Sequence, residues 1–382
     1  MVVNGAAPFL PEEIITHILK RLPVKSLIRF RCVCQHWKNL VKNPSFITDH
    51  LRHSGHHNPN LLFFHTSYQR YYTAKLNLLN CEMQVRDLQN ALLSDYLWAG
   101  HFKIIGSSNG LLCVAIHRNE LAMPPSSVLL WNPATKDVRE VPRSRTIDSC
   151  KFIYDFGFGF NSSVNDFKIV VIDNRVRIKR IGVYSLSRDS WKEIELKNFR
   201  EDFLFFDETA VSSNEAIFWK GIGGEEGKGV IVSFDTTKEV FTSIPWPTDP
   251  ALYTSTSSFV NLIVYKDKLA IFHSRSDGSL WVWVMEEDIG SSRERWNWTK
   301  KFFGGHYPRM FNCVGTIWRN EIVIVGNTET RGKEGSETHL CLVNLTTNEF
   351  KMIDGPQYCP AEFLNYVESL VPIFNIHNIE EP

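Results

Sequence analysis

The chain has 382 residues and zero net charge, and its composition, 43% hydrophobic and 22% charged, is typical of a globular protein. An isoelectric point near 7.2 gives no overall electrostatic reason to bind nucleic acid or an anionic membrane surface. No run of about 18 apolar residues predicts a membrane span, and the first residues lack the pattern of a secretory signal. The length allows two domains or one large repeat assembly.

The cysteines do not form the clustered pattern of a disulfide framework. We therefore expect them to be reduced, in the cytoplasm or the nucleus. They are scattered at Cys32, Cys34, Cys81, Cys113, Cys150, Cys313, Cys341 and Cys359.

The first element in chain order is a helix predicted over residues 11–22. Pro11 stands in the first turn, where its missing N–H costs nothing, and two carboxylates follow where the helix dipole favours negative charge. Pro23 ends the helix. Its apolar residues recur on one broad stripe, namely Ile14, Ile15, Ile18, Leu19 and Leu22.

Two shorter helices are predicted after it, over residues 25–32 and around Trp37. Apolar side chains surround most of the second helix, so it must be covered on most sides. A unit of about 40 residues is near the size below which a domain rarely folds unaided, so its surplus apolar surface predicts a partner. Residues 1–53 carry eight Lys or Arg against three Asp or Glu, which suits either an acidic partner or simple solvation.

Residues 10–46, LPEEIITHILKRLPVKSLIRFRCVCQHWKNLVKNPSF, resemble an F-box in its plant form. The resemblance implies a three-helix module over residues 10–50. It also implies hydrophobic insertion into the Skp-type adaptor of an SCF ubiquitin ligase, a cullin-RING assembly. The adaptor-binding residues that it implies are Leu10, Pro11, Ile14, Ile18, Leu22, Pro23, Leu27, Val33, Cys34 and Trp37.

A metal site is the alternative use of Cys32, Cys34 and His36. Residues two apart on a helix point away from each other, and no second pair follows at zinc-finger spacing, so we predict core packing and no metal. Residues 1–9 are predicted to be flexible and 51–59 to be a polar linker with a boundary at Asn58-Pro59. The histidine cluster His50, His53, His56 and His57 is likewise predicted to belong largely to this polar linker and not to a metal site.

Beyond residue 59 the apolar period changes from helical to short β-strands. One element, an Asn or Asp in a turn followed by an apolar strand, recurs six times at intervals of 49 to 56 residues. The copies begin at Asn60, Asn109, Asn165, Asn214, Asp267 and Asn320.

A second element, an apolar strand that ends in a polar turn and re-enters with an apolar residue, alternates with the first. Its clear copies are LWNPATKDV, VYSLSRDSW, SFDTTKEVF and LVNLTTNEF. A period of about fifty residues with several strands is typical of β-propeller blades. We predict a multidomain α+β chain with an all-β, six-bladed propeller over residues 60–371, closed by a strand at 366–371 that pairs with the first blade.

The phrases GSSNGLLC, LWNPATK, FGF and YVESLV make this region similar to the F-box-associated and kelch-like domains of plant F-box proteins, including S-locus F-box proteins. The kelch double glycine is mostly absent. The resemblance implies that the propeller captures a protein for ubiquitination and proteasomal degradation.

Candidate capture surfaces are the long segments 118–127, 198–208, 221–229 and 289–310. Large aromatic residues within them are anchors of the kind that dominate interfaces, although aromatic residues between blades more often belong to the core. The candidate substrate-binding residues are Phe203, Phe205, Phe206, Trp296, Trp298 and Tyr307.

The leading hypothesis is therefore a non-catalytic substrate receptor with no cofactor. Its partners would be a Skp-type adaptor, through it a cullin-RING ligase, and an unidentified protein substrate. The first alternative is a propeller enzyme with its site in the central channel, regulated through the F-box. The other is a carbohydrate-binding or scaffolding propeller.

Overall fold

In the residues that it describes, a computed structural model of the chain has four helices followed by 25 strands in six sheets. Within its described ranges, no helix is long and apolar enough to cross a membrane. The residues described are 10–65, 75–88, 101–117, 125–144, 154–173, 180–194, 204–205, 210–223, 228–247, 260–274, 279–287, 296–304, 315–329, 336–353 and 360–373.

The helical domain, residues 10–57, contains one helix more than the sequence predicted. The helices are α1 Glu12–Leu19, α2 Val24–Phe30, α3 Gln35–Lys42 and α4 Pro44–His57.

The linker assigned to residues 51–59 was wrong, because α4 continues through most of it. Asn43 begins this helix by accepting the Ser45 N–H at 2.8 Å, and Pro44 occupies the first helical position. At the other end, the His56 and His57 rings bond to main-chain carbonyls one turn earlier, at 2.8 and 2.9 Å. The histidine run therefore belongs to a helix.

The core of the helical domain is formed by residues from all four helices and by one residue from the far end of the chain, Leu370. His50 lies beside this core, where its Nε2 bonds to the Leu22 carbonyl at 2.9 Å and its ring stacks on Phe46. The buried core residues are Leu19, Val24, Leu27, Val41, Phe46, Ile47 and Leu370.

Acidification is expected to destabilise the helical domain through His50. Burial lowers the pKa of this imidazole, and the bond to the Leu22 carbonyl opposes that shift as the smaller effect. The folded-state pKa thus lies below the unfolded value of 6.5, so stability is complete above that value and falls as the pH drops below it. Thermal unfolding at about pH 7.5 and about pH 5.5 measures the loss.

The matched control is His50→Gln, whose amide can still donate to the Leu22 carbonyl but does not titrate. Its melting temperature should fall less on acidification than that of the natural chain. An equal fall in both proteins would remove His50 as the cause.

The first three blades of the propeller each contain four antiparallel strands. Blade 1 joins the two ends of the ring: β25 Pro360–Tyr366, β1 Asn60–His65, β2 Lys75–Leu79 and β3 Val85–Asp87. Blade 2 contains β4 His101–Ser108, β5 Leu111–His117, β6 Ser127–Asn132 and β7 Asp137–Glu140. Blade 3 contains β8 Tyr154–Asn161, β9 Asp166–Asp173, β10 Ile181–Ser185 and β11 Ser190–Ile194.

Blade 4 has a first strand in two pieces, which pair with opposite ends of its second strand. It contains β12 Leu204–Phe205, β13 Val211–Ser213, β14 Ala216–Gly223, β15 Lys228–Asp235 and β16 Val240–Pro245. Blade 5 contains β17 Val260–Tyr265, β18 Lys268–Ser274, β19 Leu280–Glu287 and β20 Trp296–Gly304. Blade 6 contains β21 Gly315–Trp318, β22 Glu321–Glu329, β23 Ser336–Asn344 and β24 Phe350–Ile353.

The predicted six-bladed propeller is confirmed, and the first repeated element marks the second strand of every blade. Tight turns precede five of these strands and need positive φ, which Asn and Asp tolerate better than most residues. The residues of these turns with positive φ include Asn109, Asn165, Asn214, Asp267 and Asn320.

The second repeated element is the turn between the third and fourth strands. In blade 2 the Asn132 side chain accepts the N–H groups of Ala134 and Thr135 at 3.0 and 3.3 Å. Asp235 and Asn344 accept two N–H groups in the same way in blades 4 and 6. In these three blades a short polar side chain thus fixes the turn.

The ring is closed by β25, which pairs with β1 from Tyr366–Asn60 to Pro360–His65. Closure against the first blade is therefore correct, but the predicted strand at 366–371 was misplaced. Only Tyr366 belongs to the strand, because residues 367–373 leave the sheet and run between the helical domain and blade 2.

Antiparallel strands give the ring two distinct faces. The turns between first and second strands, and between third and fourth strands, lie together on one face, here called the turn face. The chain passes from the helical domain into β1 on this face. There the Pro59 carbonyl accepts hydrogen bonds from the Cys81 thiol and the Trp318 indole, both at 3.2 Å. All connections on the opposite face, here called the loop face, pass through segments outside the described residues.

Glycines on the first strand of blade 3 let blade 4 approach closely. A Cβ on Gly157 would lie 2.4 Å from the Trp219 ring, and one on Gly159 would lie 3.0 Å from Ile217. Trp219 is buried and its indole N–H donates to the Phe156 carbonyl at 2.9 Å, so this ring cannot move away freely.

Gly157→Ala is expected to destabilise the chain by about 2 to 3 kcal/mol, because the methyl group would overpack the junction of blades 3 and 4. Gly55→Ala is the control. A Cβ on Gly55 meets only Val367, at 4.0 Å, and alanine in a helix should stabilise by roughly 0.5 to 1 kcal/mol. Denaturant unfolding of both variants measures the difference, and equal stabilities would contradict the packing argument.

Candidate functional site

The helical domain exposes a set of large apolar side chains, here called the docking face. These side chains belong to α1, to the residue before it and to the turn between α2 and α3. Their exposed fractions are 54% for Leu10, 47% for Ile14, 48% for Ile18 and 62% for Val33. Ile14 and Ile18 lie one turn apart on the same side of α1, and exposed apolar residues that cluster in this way mark an interaction surface.

Local sequence places these residues outward. α1 starts after Pro11, with Glu12 and Glu13 in its first turn, and turns Leu19 into the core, so that Ile14 and Ile18 lie outside it. After α2 the chain makes a short turn and becomes extended at Cys34, whose sulfur caps α3 by accepting the Trp37 N–H at 3.5 Å.

The other predicted adaptor-binding residues divide between surface and core. Pro11, Pro23 and Cys34 are exposed, whereas Leu22 and Trp37 are half-buried against the core. Leu27 is completely buried, so its place in the predicted contact set was wrong. The seven-residue α2 directs one face inward, and a stripe that covers most of a helix does not reveal which face that is.

The helical domain exposes titratable groups as well as the docking face. His36 on α3 approaches Glu12 on α1 at 3.7 Å, and both side chains are largely exposed. Cys32 is also exposed, although the resemblance did not single it out. Among the described residues, no group of three or more His, Cys, Asp or Glu side chains could hold a metal ion.

The second candidate surface is the loop face. Most of each predicted capture segment, 118–127, 198–208, 221–229 and 289–310, lies outside the described residues. The described strand ends that flank the first three lie on the loop face, and so do the end of β20 and the start of β21. The end of β19 and the start of β20 lie on the turn face.

The predicted capture residues have different outcomes. Trp296 and Trp298 are partly buried and pack against the core between blades 4 and 5, and the Trp298 indole N–H donates to the Pro245 carbonyl at 2.9 Å. They lie in a strand, β20, and not in a loop, and their role as capture residues stays a prediction. Phe205 lies in β12, where its backbone pairs with Gly221. Phe203, Phe206 and Tyr307 lie outside the described residues.

The first strands of the blades contact one another around the centre of the ring. The first strand of blade 2, β4, also approaches β13, a piece of the first strand of blade 4. Some Cα atoms of the two strands lie within 8 Å of each other, although blade 3 stands between the two blades. Gly159 of β8 permits this approach, since a Cβ there would lie 3.3 Å from the Ser212 Cβ. The centre of the ring is therefore narrow on the side of blades 2 to 4.

Comparison with known families matches both parts of the chain. Residues 8–49 match the F-box domain. Residues 52–365 match the F-box associated beta propeller domain. The two matches meet within α4, close to the start of β1.

Similar proteins of Arabidopsis thaliana include F-box/kelch-repeat protein At3g23880, which is 24% identical over 83% of this chain and 84% of its own length. F-box/kelch-repeat protein At3g17530 is 23% identical over 95% of both chains. Among solved structures, the β-propeller domain of Myceliophteria thermophila Cps50 (Swd1) aligns with a TM-score of 0.41 and 11% identity, over 74% of this chain and 81% of that domain.

Proposed function

The chain belongs to the family of the F-box associated beta propeller domain, preceded here by an F-box, and we propose that it is the substrate-recognition subunit of an SCF-type ubiquitin ligase. The docking face would bind a Skp-type adaptor and, through it, the cullin-RING assembly. The propeller would capture a protein for ubiquitination and proteasomal degradation.

The observation that carries this proposal is the docking face itself. Burying an exposed Leu or Ile side chain stabilises a complex by roughly 1.5 to 3 kcal/mol, and this face presents several of them together. The surplus of five positive charges over residues 1–53 favours an adaptor with an acidic surface, since complementary charge accelerates association.

The helical domain contacts the turn face, and the strand ends of the loop face lie on the opposite side of the propeller, which supports simultaneous binding of an adaptor and a substrate protein. Loops on a rigid scaffold are a common place for recognition. The chain would contribute proximity, which raises the effective concentration of substrate near the ubiquitin-transfer machinery without a nucleophile of its own.

The close approach of β4 and β13 favours this receptor function over an enzyme with its site in the central channel, because it narrows the space in which a substrate would react. We also propose that the protein acts in the cytoplasm or the nucleus. Its described cysteines are all free thiols, including the exposed Cys32 and Cys34.

The experiment is affinity purification from plant cells of the natural chain, a docking-face variant that combines Ile14→Asp with Ile18→Asp, and two segment variants. In one segment variant, residues 118–124 and 224–227, which connect strand ends on the loop face, are replaced by Gly/Ser of equal length. In the matched control the same replacement is made at 288–295, which connects strand ends on the turn face.

A substrate should be retained by the docking-face variant, lost on loop-face replacement and retained by the control. It should also have a longer half-life in cells that express the docking-face variant. Failure of the natural chain to co-purify with a Skp-type adaptor, or captured proteins whose half-lives never change, would contradict the proposed function.

A further inference from the structure

Residues 367–373, VESLVPI, lie between the helical domain and the propeller. We name this segment the strap. It follows directly on the closing strand β25 and has no regular secondary structure of its own. Its inward side chains are nevertheless buried, at Ser369, Leu370 and Ile373.

Blade 2 holds the strap by hydrogen bonds to its main chain. The buried side chain of Asn132 donates to the carbonyls of Ser369 and Val371 at 3.0 and 2.9 Å, while its oxygen fixes the turn between β6 and β7. Arg139 donates to the Ile373 carbonyl at 3.2 Å, and Ile373 packs into the core between blades 2 and 3. The Asn132 side chain thus holds both the turn of blade 2 and the main chain of the strap.

The helical domain holds the strap by its side chains. Leu370 is part of the helical core, and Val371 packs against both this core and that of blades 2 and 3. Burial raises the pKa of the Glu368 carboxyl, and Arg86 and the nearby N–H of Val24, the first residue of α2, oppose that shift.

The strap and the docking face occupy different sides of the helical domain. Leu370 packs among the buried residues of α1, α2, α3 and α4, whereas Ile14 and Ile18 of α1 are exposed. The strap therefore leaves the docking face open. It can affect that face only through the helices themselves.

We propose that the strap is a part of the helical domain supplied from the far end of the chain, which completes the core of that domain and fixes the domain on blade 2. Folding of the helical domain then depends on closure of the propeller ring, since the strap follows immediately on β25. The extension of this coupling to adaptor affinity rests on the proposed function; the coupling within the free chain does not.

The test is hydrogen–deuterium exchange of the free, full-length chain, followed by mass spectrometry. Leu370→Ala should accelerate exchange in α1 to α4 by at least about tenfold, because truncating a buried leucine weakens the structure around it. Leu262→Ala in blade 5 is the matched control: Leu262 is buried to 9% exposure against 8% for Leu370, but packs far from the strap. Its effect should be confined to the propeller.

A second pair of variants keeps the test decisive if the cavity in Leu370→Ala prevents folding. Asn132→Asp keeps the oxygen that fixes the turn of blade 2 but removes the amide that donates to the strap, whereas Asn344→Asp makes the same change in the corresponding turn of blade 6. Exchange in α1 to α4 should be faster in Asn132→Asp and unchanged in Asn344→Asp. Unchanged exchange in α1 to α4 for both Leu370→Ala and Asn132→Asp would overturn the proposal.

Calorimetric titration with purified Skp-type adaptor separates the two proposals. If the natural chain binds and Leu370→Ala binds at least about tenfold more weakly, the strap is coupled to docking. Equal affinities with accelerated exchange would overturn that extension alone. If the natural chain does not bind adaptor, the proposed function fails and the exchange result still decides the role of the strap.

Discussion

Ile14→Asp combined with Ile18→Asp should weaken binding of a Skp-type adaptor at least about a thousandfold, which corresponds to about 4 kcal/mol. The double substitution removes two central apolar contacts and would bury two unpaired carboxylates in the complex. Both side chains are about half exposed in the free chain, so the fold should be kept. Titration calorimetry with purified adaptor and circular dichroism measure the two effects.

Val164→Asp is the matched control, because Val164 is an apolar side chain with 59% exposure on the propeller. It should bind adaptor with the affinity of the natural chain. Retained affinity in the double variant, with an intact fold, would show that the docking face is not the adaptor-binding surface. A loss of helicity would instead mean that the two isoleucines support the fold.

Gly110→Ala should destabilise the junction of strap and blade 2 by about 3 kcal/mol or more. Gly110 has a φ of +81°, which L side chains rarely adopt. An added Cβ would also lie 2.1 Å from the Ser369 Cβ and 2.7 Å from the Val367 carbonyl oxygen. Because the main chain of the strap is one of the clashing groups, relief requires the strap to move. Thermal unfolding and exchange in the helical domain report this change.

Asn109→Gly is the control for the same turn. Asn109 also has positive φ, at 48°, but glycine adopts this conformation without a Cβ penalty, so stability should change little. Equal stability of Gly110→Ala and Asn109→Gly would contradict the close approach of the strap to this turn.

The fold was predictable wherever a local pattern encodes it. Asn or Asp before an apolar strand identified the second strand of each blade, because tight turns need residues that tolerate positive φ. Proline and paired carboxylates located the start of α1. The exposed members of the docking face, including Leu10, Ile14 and Val33, were all in the set implied by the F-box resemblance.

Tertiary contacts decided what the sequence did not reveal. Leu27 and Val33 are both apolar residues near α2, and only the packed helices show that the first is core and the second is surface. Trp296 and Trp298 resembled loop anchors, but their strand pairs with β19 and packs against blade 4. The strap shows no helical or strand periodicity, so the local sequence does not predict its role. That role depends on contacts between residues more than 200 positions apart in the chain.

Three of the four sequence motifs that carry the propeller resemblance contribute residues to the junction of the strap and blade 2. GSSNGLLC supplies Gly110, LWNPATK supplies Asn132 and Ala134, and YVESLV supplies the strap. The fourth, FGF, belongs to the glycine-containing strand that admits blade 4. These motifs therefore contribute to the contacts that join the parts of the chain.

Hydroxyl-radical footprinting of the full-length chain, with and without purified Skp-type adaptor, tests the central claim most directly because it reports the exposure of individual side chains. Adaptor should protect Leu10, Ile14, Ile18 and Val33 from oxidation. Val164 and Met352, exposed at 59% and 47% on the propeller, should stay equally reactive. Unchanged oxidation of the docking face, or protection of the propeller residues instead, would contradict the account.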